Sequence, residues 1–137
     1  MPRSNAGFEE IEHTADWALK VWAPDLPALF EQAALGMDSL AGIELDGESS
    51  LDRRLELKAP DAESLLVAFL SEVLHFAESE QIGFRSYSIR ITSERLTASL
   101  EGAPILQASK EIKAVTYHQL AIKATPYGLE TQIVFDV

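Results

Sequence analysis

His13-Thr14-Ala15-Asp16 leads directly into Trp17-Ala18-Leu19-Lys20-Val21-Trp22-Ala23, and this stretch decides how the chain is read. Trp17, Leu19 and Val21 recur at every second position, the period of a half-buried strand, so Asp16 is expected at a strand end, held against a rigid sheet. Ile133-Val134-Phe135-Asp136-Val137 is a second apolar run with a carboxylate near its close and the terminal carboxylate behind it. If the two runs lie side by side, Asp16 and Asp136 face a common point.

Between these runs, two stretches carry helical periodicity. From about Leu26 to Leu40, the residues Leu26, Leu29, Phe30, Ala33, Met37 and Leu40 repeat at three-and-four spacing, with Asp25 as N-cap, Pro27 in the first turn and Gly42 as the stop. A broader apolar stripe, Leu65, Leu66, Phe69, Leu70, Val73, Leu74 and Ala77, follows the Asp61 cap and is expected to end before Gly83. Asp46-Gly47-Glu48-Ser49-Ser50 reads as a turn before a short strand over Leu51 to Lys58. Tyr87 to Ile91 and Leu96 to Leu100 alternate around Ser93-Glu94-Arg95 as a hairpin would. Ile112 to Ala124 reads as one long run, and Pro126-Tyr127-Gly128 turns it into the final run from Leu129. The order predicts a single α+β domain over residues 1–137, a mainly antiparallel sheet of about six strands with two helices packed on it, and residues 1–7 as a disordered tail.

With 137 residues, 47% of them hydrophobic, one domain can bury a substantial core. The absence of cysteine excludes disulfides and thiolate metal sites, Met1 to Gly7 lacks the apolar region of a leader, and no later run is long enough to cross a bilayer, so a cytoplasmic location is expected. A formal net charge of −11 opposes binding to phosphate backbones and suits metal ions or a basic protein partner, though it also serves solubility alone. The seven glycines form neither of the common nucleotide cradles, so nucleotide dependence is assigned to a partner.

Three groups of residues carry candidate chemistry. Asp16 and Asp136, with main-chain or terminal oxygen at Val137, form a partial oxygen cage for a hard cation, or else Asp136 shares a solvated face with Glu130 and Gln132. Lys113, flanked by Ile112, Ala114 and Val115, either extends to water at a strand edge or presents a fixed charge to a phosphate or a partner's acidic group. His13, His75 and His118 lack the spacing of a zinc site, and no serine has the glycine setting of a nucleophile elbow.

Phe8-Glu9-Glu10-Ile11-Glu12-His13-Thr14-Ala15-Asp16, Leu29-Phe30-Glu31-Gln32-Ala33-Ala34, Leu65-Leu66-Val67, Ile112-Lys113-Ala114-Val115-Thr116-Tyr117-His118 and Phe135-Asp136-Val137 together resemble the archease family over nearly the whole chain. The resemblance implies a protein cofactor, not an enzyme: a partner of the GTP-dependent tRNA-splicing RNA ligase that joins 2′,3′-cyclic phosphate or 3′-phosphate ends to 5′-hydroxyl ends. In that family the cofactor promotes ligase guanylylation and multiple turnover. Position by position, Asp16 and Asp136 match metal ligands, usually taken with calcium, Val137 matches the residue that completes the site, and Lys113 matches a lysine that activates the ligase. His13 and His118 match motif positions and are candidates for supporting the site from behind. The segment from Glu101 to Lys110 is shorter and less charged than in many members, which puts any partner contact through it in question.

Two readings from other classes compete. One is a metal-dependent hydrolase in which Asp16 and Asp136 hold the ion and His13 or His118 acts as general base. The other is a general chaperone-like protein, for which acidity and small size are suited.

Overall fold

The computed structural model describes residues 4–11 and 17–137. The chain begins with β1 (Gly7–Ile11) and β2 (Trp17–Ala23), an antiparallel pair with Phe8 opposite Val21 and Ile11 opposite Ala18. Alternation in β2 sends Leu19 and Val21 into the core, as the period of two requires.

Helix α1 (Leu26–Ala41) starts where the Asp25 carboxylate accepts from the amide of Ala28 at 2.9 Å. It ends where Gly42 takes φ 64° and donates its amide back to the carbonyls of Asp38 and Ser39. Gly36 lets the helix sit directly on β2, since a Cβ there would lie 2.5 Å from Leu19 Cδ2. After β3 (Glu44–Leu45) and β4 (Leu51–Lys58), α2 (Ala62–Ser79) is capped by Asp61, whose carboxylate accepts from the Ser64 amide at 2.7 Å. The stripe of α2 buries Leu65, Leu66, Phe69, Leu70 and Val73, and Phe30 meets Phe69 between the helices at 5.7 Å.

The stop of α2 differs from expectation. Gln81, at φ 56°, turns the chain, and Gly83 lies buried inside β5 (Ile82–Thr92) with Leu45 packed where its side chain would be. β5 and β6 (Arg95–Gln107) form a hairpin around Ser93, which takes φ 57°. β6 continues through Gly102 and Pro104, where turn-forming residues suggested a break. Gly102 is required there because its missing side chain admits the carbonyl of Gly83, next to a register shift between Phe84 and Ser86.

Ile112 to Ala124, expected as one strand, is only β7 (Ala114–Val115) and β8 (Lys123–Thr125), with a loop between. The Thr116 hydroxyl donates to Val134 O and accepts from the His118 amide, Leu120 donates to Tyr117 O, and Gln119 takes φ 52°. Local side-chain and turn bonds thus replace the ladder. β9 (Gly128–Asp136) closes the described chain.

The strands form two sheets in place of one of about six strands. One runs β1-β2-β9-β7, with β8 also on β9; the other runs β3-β6-β4, with β5 also on β6. All pairings are antiparallel, and α1 packs on β1, β2 and β5 while α2 packs on β5, β7 and β4. The architecture is α+β with two helices and antiparallel sheets. Of the residues expected as a tail, Gly7 opens β1 and Ser4 accepts at its carbonyl from Trp22 Nε1 at 2.8 Å; residues 1–3 lie outside the described residues.

Candidate functional site

The register of the first sheet positions the candidate residues. β2 and β9 pair from Ala23 opposite Leu129 to Trp17 opposite Phe135, so Ala18 lies against Val134 and Lys20 against Gln132. On the other side of β9, Ala114 is opposite Asp136 and Val115 opposite Phe135. The end of β9 is therefore flanked on both sides by backbone.

Alternation does the rest. Phe135 is fully buried, so Asp136 is turned outward and is exposed. Val137 is partly buried against the core. The Lys113 amide donates to Asp136 O at 2.8 Å, and the Thr116 amide and hydroxyl both donate to Val134 O at 3.0 Å. Lys113 itself is exposed, with no ion-pair partner among the described residues, so its main chain is fixed while its ammonium reaches water. The structure thus brings Lys113, Asp136 and Val137 together at one sheet end.

Asp16 and His13 fall in 12–16, outside the described residues. His118 is exposed in the loop after β7 and lines a polar hollow of about 420 Å³ with Lys20, Lys123 and Gln132. His75 is exposed on α2, where its ring shares a hydrogen bond with the Ser79 hydroxyl at 3.3 Å. Among the described residues no three His, Asp or Glu side chains come together in a way that could hold a metal ion.

Among the described residues the donor set at this end is oxygen only. The Asp136 carboxylate is open to a ligand, its own carbonyl already accepts from Lys113, and Val137 offers a further oxygen at this strand end. Such donors fit a hard cation such as calcium and do not fit zinc. One carboxylate alone makes an incomplete cage.

Sequence reasoning missed one contact here. Lys110 Nζ lies 3.5 Å from the centroid of the Trp17 ring, a cation–π pair at the start of β2. The short segment that carries Lys110 is pinned by the amides of Ser109 and Lys110, which both donate to Ala41 O at 2.8 and 3.1 Å. No spacing in the sequence signals a pairing between residues so far apart.

Comparison with known proteins gives one consistent result. Residues 8–137 match the model of the archease protein family. An archease of Methanosarcina barkeri is 36% identical over 141 residues, covering 95% of each chain. An archease-like protein of Dictyostelium discoideum is 32% identical, covering 95% of this chain and 93% of its own. Protein 1598 of Methanobacterium thermoautotrophicum superimposes with a TM-score of 0.71 at 25% identity, over 96% of this chain and 99% of that one. An archease of Thermotoga maritima does so with a TM-score of 0.69 at 25% identity, over 94% and 96%. The chain belongs to the archease family.

Proposed function

We propose that this protein is a non-catalytic activator of the GTP-dependent tRNA-splicing RNA ligase. It promotes guanylylation of the ligase and repeated joining of 2′,3′-cyclic phosphate or 3′-phosphate ends to 5′-hydroxyl ends. Family membership supports the partner, and the end of the first sheet supports the site. The observation that carries the reading is the register. Trp17 and Phe135 are directly paired, and they are the chain neighbours of Asp16 and Asp136.

In this reading Asp16, Asp136 and an oxygen of Val137 hold a divalent cation, calcium by the hardness of the donors. When bound, the cation supplies a fixed positive charge and open coordination positions at the surface presented to the ligase. Lys113, with its amide tied to Asp136 O, projects its ammonium from the same edge and is available to a phosphate or carboxylate of the partner. His118, and His13 by its place in the motif, support the site from behind. The protein's net charge of −11 leaves RNA and GTP to the ligase and favours a basic protein surface as the contact.

The test is single-turnover guanylylation of the ligase with and without this protein. Wild type is expected to accelerate the step, and Asp16→Ala, Asp136→Ala and Lys113→Ala to lose the acceleration while remaining folded. Failure of wild type to accelerate it would overturn the reading.

A further inference from the structure

Away from the β9 end, a cavity of about 470 Å³ opens where the C-terminal turns of both helices meet the segment after β6. Leu74, Ala77, Ile105, Leu106 and Ile112 make its apolar walls, and Asp38, Glu78 and Glu111 are the acids that line it. Its chemistry is lopsided in a way that points to a cation.

Asp38 sits in the last turn of α1, a position where the helix's own partial negative charge opposes a carboxylate. Neither α1 nor α2 has a basic residue in its last turn, so two helix C-termini converge on one cavity with no cation of their own. The Asp38 side chain is half-buried in the cavity wall and has neither a hydrogen bond nor an ion pair among the described residues. Burial pushes its carboxyl up to about 7. Lys110 also lines the cavity, but its ammonium is committed to the face of Trp17, 3.5 Å from the ring centroid. The nearby Tyr87 hydroxyl is buried with no hydrogen-bond partner among the described residues and supplies no bond to it.

We infer that this cavity receives one basic side chain, an arginine or lysine, from a protein partner, with its methylenes on Leu106 and Ile105 and its charge on Asp38. The size fits a single long side chain rather than a helix, and Leu106, 67% exposed, forms the apolar rim over which such a side chain would enter. An acid partly withdrawn from water and without a partner is poorly solvated, and an incoming guanidinium supplies charge-assisted hydrogen bonds in place of the lost water. The identification of the partner as the RNA ligase rests on the reading proposed above; the cavity's preference for a cation does not.

Two measurements test it. In the first, n-butylguanidinium is titrated into the 13C-labelled protein and the Asp38 carboxyl resonance is followed by NMR. The expected result is saturable binding that lowers the Asp38 titration midpoint, is lost in Asp38→Asn, and is absent for the neutral analogue n-butylurea. Equal binding of the urea, or binding unaffected by Asp38→Asn, would overturn the inference and leave only an apolar cleft. In the second, affinity for the ligase is measured for Asp38→Asn and for Leu106→Lys, a surface change that places a like charge at the rim. Both are expected to weaken binding by roughly tenfold or more. Unchanged affinity in both would remove the ligase as the source of the side chain. If wild type does not bind the ligase, the proposed function fails, and the guanidinium titration alone decides the cavity's role.

Discussion

The amide of Lys113 donates to the carbonyl of Asp136 at 2.8 Å, so the two side chains of the candidate site are joined through main chain rather than through each other. Replacing either side chain leaves that bond in place. Asp136→Ala and Lys113→Ala are therefore expected to unfold within about 0.5 kcal/mol of wild type, as exposed positions do. Both should abolish stimulation of ligase guanylylation. Calcium binding, read by titration calorimetry, should be lost in Asp136→Ala and kept in Lys113→Ala. Loss of calcium binding in both, with folding intact, would contradict this division of roles.

Asp38 gives the protein a pH signature. Its carboxyl titrates near 7 when folded because it is buried, against 3.8 for the free side chain. Between those values the folded state holds a proton that the unfolded state has released, so the contribution of this group to stability falls as pH rises from about 4 to 7 and is level above. Glu78, Glu111 and Lys110 line the same cavity and the Tyr87 phenol lies nearby, but loss of water is the cause of the shift. Asp38→Asn should remove this slope. Urea denaturation at pH 8 should find the variant more stable than wild type, on the order of 4 kcal/mol at most. A variant less stable than wild type at pH 8 would show that the buried carboxylate is compensated.

Gly102 is fixed by contact. A Cβ at this position would collide with the carbonyl oxygen of Gly83, and with backbone rather than a movable side-chain end. Gly102→Ala must separate β5 from β6 at the bulge, and a loss of about 3 kcal/mol or more is expected by thermal or chemical denaturation. The same substitution at Gly47, which has nothing within 4 Å, should be close to neutral.

Tyr87 packs between Phe69 and Phe84, with ring centroids at 6.1 and 6.2 Å, yet its hydroxyl is buried with no hydrogen-bond partner among the described residues. Burial and the charges of Asp38 and Glu31 push its ionisation well above the ordinary range. Tyr87→Phe keeps the ring packing and removes the orphaned group, so stability should hold or rise by about 1 kcal/mol. A loss of that size would mean the hydroxyl is satisfied in solution.

The sequence made the two helices legible because each has a carboxylate cap and an apolar face at regular spacing, and Asp25 and Asp61 both accept the expected amides. β1 escaped because Gly7-Phe8-Glu9-Glu10-Ile11 is an edge strand whose glutamates are exposed, and such a run has little alternation to detect. The loop after β7 differs from the strand its apolar residues suggest because they are placed by the Thr116 and Glu63 side chains, the latter accepting from the Ile122 amide at 3.0 Å, and not by a ladder. At the candidate site, Asp136 near a strand end and Lys113 in an apolar run stand out from the residues themselves, and the family resemblance supplies their roles. Alternation alone could say only that Asp136 points away from Phe135, and nothing local to the sequence predicts Lys110 on the face of Trp17.

The pairing of β2 with β9 joins segments separated by nearly the whole chain, whereas β5 and β6 meet across a two-residue turn. Closing the larger loop costs more entropy and must wait for contacts that repay it, so the hairpin is expected early in folding and the β2–β9 seam late. Amides along that seam should then exchange with solvent through a different opening from those of the hairpin. A cation held at the seam's end would act as a latch on the last step of folding, slowing its reversal without hastening its formation.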